Sequence, residues 1–104
     1  MSYAIRFRPI ATKDFEEACE WYASKSEQTE EDFKTNLRER LYEIAENPEA
    51  YTVRLEKRGQ LIRAANIKKF PYLIFFTVHN NLQCVRIISI WHQSRNPDVL
   101  SKRL

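Results

Sequence analysis

The chain has 104 residues, room for one core and none for paired nucleotide-binding halves or an eight-unit barrel. Hydrophobic residues make up 43%, which argues against wholesale disorder, and charged residues at 30% leave no apolar run long enough to span a bilayer. The net charge of +3 is unevenly placed: residues 11–50 carry a balance of −7 and residues 51–104 one of +8, an electrostatic footprint for a polyanion or a set of charges that pair within the fold.

Arg6, Arg8 and Pro9 interrupt the first ten residues, so no signal-peptide core is expected there. One glycine, Gly59, excludes glycine-loop nucleotide folds. Two cysteines, Cys19 and Cys84, make no disulfide framework and read as small apolar core groups in a reduced, cytoplasmic protein.

Tyr3, Ile5 and Phe7 alternate with Ala4, Arg6 and Arg8, the period of a half-buried strand that Pro9 ends. Thr12 is the expected cap of a first helix, whose apolar stripe is Phe15, Ala18, Cys19 and Tyr22. Residues 24–28 connect to a second helix. There Thr29-Glu30-Glu31-Asp32 has capping-box spacing, and Phe33, Leu37, Leu41, Ile44 and Ala45 form the stripe. Asn47-Pro48 stops it, because the residue before proline disfavours the α region. Trp21, Tyr22, Phe33 and Tyr42 are expected mainly in the core, with any exposed subset available to a partner.

Two amphipathic helices need something apolar to cover. Residues 52–57 and 60–68 read as strands joined at Arg58-Gly59. In residues 70–79, Phe70, Tyr72, Ile74, Phe76 and Val78 fall on one face and Leu73 and Phe75 on the other. Asn80-Asn81 suits a tight turn, and residues 82–91 are apolar on both faces, as in a covered central strand. Gln93 to Leu104 is expected as a polar tail. The order β-α-α-β-β-β-β is an α+β domain over residues 1–104, a two-helix hairpin on a mostly antiparallel sheet.

Taken together these phrases resemble the RelE/ParE superfamily, toxins of bacterial type II toxin–antitoxin modules. The resemblance rests on Trp21-Tyr22, Asn47-Pro48-Glu49-Ala50-Tyr51, Ile62-Arg63, Lys69-Phe70-Pro71-Tyr72-Leu73-Ile74-Phe75 and Ile90-Trp91-His92-Gln93-Ser94-Arg95-Asn96-Pro97, in order over nearly the whole length. Phe-Pro-Tyr and His-x-Ser-Arg-Asn-Pro are similar to the ParE branch. The resemblance implies a growth-inhibiting toxin of a plasmid-stabilisation module, silenced by a cognate antitoxin, with no cofactor or metal. ParE-like members poison DNA gyrase; RelE-like members cut mRNA on the ribosome.

Cleavage through the ribose 2′-hydroxyl needs a proton acceptor, a proton donor and a clamp on the phosphate. The resemblance offers Arg63, His92 and Arg95 as catalytic residues if the chain is an endoribonuclease. His92 is the titrating group and the arginines are the clamps. Each also has a structural reading: His92 bonding the tail, Arg95 anchoring a turn, Arg63 pairing with a helix acid. Arg54, Lys57, Lys68, Lys69 and Arg86 are the candidate contacts to nucleic acid or another target. The tail from Asn96 on has no tyrosine, and Leu100 stands where the family's Asn-Pro-x-x-Trp has its aromatic. Three readings follow: a gyrase-directed toxin, which the missing tyrosine favours, a ribosome-dependent mRNA endoribonuclease, and a degenerate toxin that keeps only antitoxin binding.

Overall fold

The computed structural model describes residues 2–103; Met1 and Leu104, the ends of the first strand's approach and of the expected tail, lie outside the described residues. Strand β1 (Ala4–Phe7) leads into helices α1 (Pro9–Ala23) and α2 (Glu27–Glu46). Strands β2 (Val53–Lys57), β3 (Gln60–Asn66), β4 (Tyr72–His79) and β5 (Cys84–His92) follow, and α3 (Pro97–Arg103) ends the described chain. The sheet runs β1-β5-β4-β3-β2, with β1 parallel to β5 and every other pair antiparallel. The α+β architecture with a helical hairpin on the sheet is therefore as expected.

Both helix starts differ from the sequence reading. Pro9 does not merely end β1; it is the first helical residue of α1, with extended Arg8 as the cap. Proline suits that position, since its missing N–H would be unpaired there anyway and its φ is already helical. In α2 the cap is Ser26, whose hydroxyl accepts from the Thr29 N–H at 3.0 Å, so Thr29 is the recipient of the cap instead of the cap itself.

The larger correction is at the C-terminus. The expected polar tail is helix α3, with Asp98 in its first turn and Lys102 and Arg103 in its last, signs that suit the helix dipole. Seven residues are too few to display helical periodicity, and one apolar side chain, Leu100, is its anchor. It is buried against Ile62, Ala64, Phe75, Ile88 and Trp91.

The sheet therefore carries apolar side chains on both faces. The main core lies under α1 and α2 and holds Ile5, Phe7, Phe33, Leu37, Ile44, Ile74, Phe76, Val85, Ile87 and Ile90. Within it Tyr22, Phe33, Phe70 and Tyr72 interlock, with centroids 5.0–5.4 Å apart for the Tyr22–Phe70, Phe33–Phe70 and Phe33–Tyr72 pairs. A bulge lets one strand serve both cores: Phe76 opposes Ile87 and Phe75 opposes Ser89, leaving Ile88 as the extra residue. Ile87 and Ile90 thus reach the helix side, and Ile88 and Trp91 the other. Trp21 and Tyr42 are not core residues: they are 58% and 67% exposed, because each sits off the buried stripe of its helix.

No helix among the described residues is long and apolar enough to cross a membrane. Of fourteen carboxylates, α1 holds four and α2 seven, all on the layer covering one side of the sheet. The strands contain Arg6, Arg54, Lys57, Arg63 and Arg86 against one acid, Glu56. Helices and sheet thus present opposite signs.

Candidate functional site

β1 ends at Phe7 while β5 runs on to His92, and the last bond between them is from the Arg8 N–H to the Ile87 carbonyl. Beyond that point no strand among the described residues neighbours the edge of β5. Asp14 takes its place: its Oδ2 accepts from the Ile90 N–H at 3.1 Å and from the Ser89 hydroxyl at 2.8 Å. Its Oδ1 accepts from Arg103 of α3 at 2.8 Å. A carboxylate is tolerated at this buried position because its charge is paired and its lone pairs are used. Asp14 joins α1, β5 and α3, a role the sequence reading missed. The available signal was its spacing, four residues before Ala18 and three after Ala11, which places it on the buried stripe of α1.

His92 stands opposite Tyr72 in the ladder, ring edge to face at a centroid distance of 5.0 Å. Its Nδ1 accepts from the Ser94 backbone N–H at 3.1 Å, and the Ser94 hydroxyl lies 2.7 Å away. An amide donor at Nδ1 needs a lone pair there, so the neutral ring carries its hydrogen on Nε2. The imidazole opens into a cleft of about 190 Å³ on the helix side, whose walls include Asp14, Glu17, Tyr72 and Arg95. Burial pushes the Tyr72 phenol above its ordinary range, with the Tyr22 phenol adding to the effect.

Arg95 folds back in a turn, its N–H bonded to the His92 carbonyl, and its guanidinium lies 4.0 Å from the centroid of the Trp91 ring. It borders both the His92 cleft and a larger one of about 400 Å³ beside α3, where Arg54, Leu73, Phe75, Trp91, Gln93 and Leu100 meet. His92 and Arg95 are therefore brought together, and Arg63 does not join them. Its Nη1 donates to the carbonyls of Tyr51 at 2.7 Å and Glu49 at 3.2 Å, fastening the link between α2 and β2, and it borders a separate cleft.

The basic candidates fall into three places. Arg54 sits at a bulge in β2 and lines the cleft beside α3. Lys57 donates from Nζ to the Ser101 carbonyl at 2.6 Å and so holds α3 down. Lys68 and Lys69 form the turn between β3 and β4, Lys69 with φ +72°. Arg86 is exposed on β5. Among the described residues there are three ion pairs, and Arg103 is the one base beyond residue 50 that takes part. The basic half is not neutralised internally.

Comparison with protein families places residues 5–97 within the ParE toxin of the type II toxin–antitoxin system, parDE. The chain belongs to the ParE toxin family. No curated protein matches it at a significant level. Among solved structures it is similar to an Escherichia coli RelE toxin with two arginine-to-alanine substitutions in the free state. The identity is 21%, the TM-score 0.66, and coverage is 99% of this chain and 95% of that one. It is also similar to the isolated E. coli RelE toxin, at 18% identity, TM-score 0.64, and coverage of 99% and 100%. At such identities the likeness is one of fold. In this ParE-family chain the open face of the sheet is basic, partly covered by α3, and has an arginine-rimmed apolar cleft where α3 meets it.

Proposed function

We propose that this toxin inhibits growth by acting on DNA gyrase in the cytoplasm, and that it does so by binding instead of by cutting RNA. The observation that carries this reading is the separation of proton-transfer groups from the basic cleft. Attack by a 2′-hydroxyl on its own phosphate requires a base, an acid and a cationic clamp within reach of one phosphorus. The ionisable side chains of the cleft beside α3 are Arg54 and Arg95, whose guanidinium groups donate hydrogen bonds and offer no acceptor for the proton of a 2′-hydroxyl. His92 opens instead on the helix side, in a cleft whose lining also holds Asp14, Glu17 and Arg95; Asp14 is paired with Arg103, and Glu17 offsets Arg95, so that cleft offers a phosphodiester no surplus of cations. The family match to parDE supports the same reading.

As a type II toxin the protein has a cognate antitoxin as its partner, and no cofactor or metal enters the proposed action. A second reading, a ribosome-dependent mRNA endoribonuclease, draws on the unneutralised basic face. Inducing the chain without its antitoxin separates the two. Gyrase action predicts DNA-damage signalling with full-length transcripts, preserved in His92→Ala. Ribosome-dependent transcript cuts abolished by His92→Ala would sink the proposal, and growth unaffected by the wild-type chain would indicate a degenerate toxin.

A further inference from the structure

The parallel pairing of β1 with β5 sets Arg6 directly beside Arg86. Ile5, Phe7, Val85 and Ile87 flank them in sequence and all face the main core, so the alternation puts both arginines on the opposite, open face. Neighbouring strands lie about 4.8 Å apart, so the two guanidinium stems rise side by side. Both residues are exposed, and neither has a hydrogen-bond or ion-pair partner among the described residues. Like charges directly opposed across a ladder weaken it. The register neighbours on that face are Ala4, Cys84 and Thr77, none of them acidic, while eleven carboxylates sit on the helices covering the other side. An arginine doublet with no carboxylate among its ladder neighbours is electrostatically incomplete, and two guanidinium forks complete themselves on one phosphate or on two successive ones.

We infer that Arg6 and Arg86 form a clamp for the phosphate backbone of double-stranded DNA, the polymer on which the proposed gyrase target works. The inference deepens the gyrase reading. An acidic protein segment is the less suitable occupant. Peptides that order on binding need apolar anchors, and on that face Ile88 is buried, leaving Ala4, Thr77, His79 and Cys84 beside the doublet with no large exposed apolar side chain. One apolar groove, lined by Phe7, Phe15, Leu37 and Leu41, lies on the helix side, and the apolar cleft beside α3 is lined by Leu73, Phe75, Trp91 and Leu100 with Arg54 and Arg95, not by Arg6 or Arg86. Sequence-blind contact with phosphates needs only charge and reach.

The test is binding of the purified chain to a fluorescent DNA duplex across a salt series, read by anisotropy. The Arg6→Gln/Arg86→Gln double variant should bind about tenfold more weakly, and the slope of log K against log salt should fall by about 1.8, two phosphate contacts' worth. Lys13→Gln/Lys25→Gln removes the same net charge from the helix side and should leave the slope unchanged. Equal losses in the two double variants would reduce the clamp to net charge and overturn it. Arginine-dependent binding that is tighter to RNA of the same sequence would overturn the DNA assignment, as would a variant defect confined to antitoxin capture. Gyrase-dependent DNA breaks, measured in parallel, keep the readings apart. Breaks that persist undiminished in the arginine variant sink the clamp alone, whereas the predicted salt behaviour without breaks sinks the gyrase target alone.

Discussion

Asp14 and Arg103 meet at 2.8 Å although 89 residues separate them in the chain. The pair closes the edge of β5 where β1 has run out, and it fixes the last turn of α3 to the first turns of α1. Removing the two partners should therefore have unequal effects. Asp14→Ala strands the Ile90 N–H, the Ser89 hydroxyl and a guanidinium together, and should cost about 3–5 kcal/mol in urea denaturation. Arg103→Ala lets the end of α3 fray and water reach Asp14, so about 1–2 kcal/mol is expected. A double variant should recover part of the summed loss; strict additivity would mean that the two residues are not coupled.

Leu100 is the one apolar anchor of α3 on the open face, 2% exposed. Leu100→Ala should cost about 2 kcal/mol or slightly more, limited by the short helix coming away as a unit. Hydrogen exchange should accelerate in residues 98–103 and at Trp91, while the amides of β4 retain their protection. Uniform acceleration across the sheet would show instead that α3 is part of the global folding unit.

Arg63 donates to two backbone carbonyls between α2 and β2, so its removal is a stability change before it is anything else. Arg63→Ala should lower the unfolding free energy by about 2 kcal/mol. Arg63→Lys, which keeps the charge but loses the planar fork, should recover only part of it. If Arg63→Ala left stability intact and abolished an RNA-cutting activity, the result would support the catalytic assignment.

Tyr72 gives a pH signature. Its phenol, and that of Tyr22, lie above the ordinary 10.0 because burial disfavours the phenolate. The folded chain binds these protons more tightly than the unfolded one. The stabilisation is thus complete below about pH 10 and is lost as pH rises through the raised values. Tyr72→Phe should flatten the alkaline limb of a Tm-against-pH curve with little change at neutrality. A limb as steep as that of the wild type would assign the alkaline loss to other groups.

Local rules carried much of this protein. Alternation in residues 3–8 and 70–79 and the helical stripes of Phe15–Tyr22 and Phe33–Ala45 followed from which residues must leave water, and so they placed the helical hairpin on the sheet. The phrases ending at Asn96-Pro97 were enough to suggest the family. Boundaries were less legible where two chemistries compete: Pro9 ends a strand and begins a helix, and Ser26 outcompetes Thr29 as the cap.

What only the tertiary structure decided is long-range and two-sided. Periodicity reports which face a residue occupies, not which strand lies beside it, so nothing local sets Arg6 against Arg86 or Asp14 against Arg103. Nor could the chain alone say that His92 opens beside Asp14 and Glu17 while Arg95 borders both that cleft and the one it shares with Arg54. A side chain's chemistry is written in the sequence. Its partners are set by the bulge at Ile88, the early end of β1 and the docking of Leu100, each a consequence of packing between segments far apart in the chain.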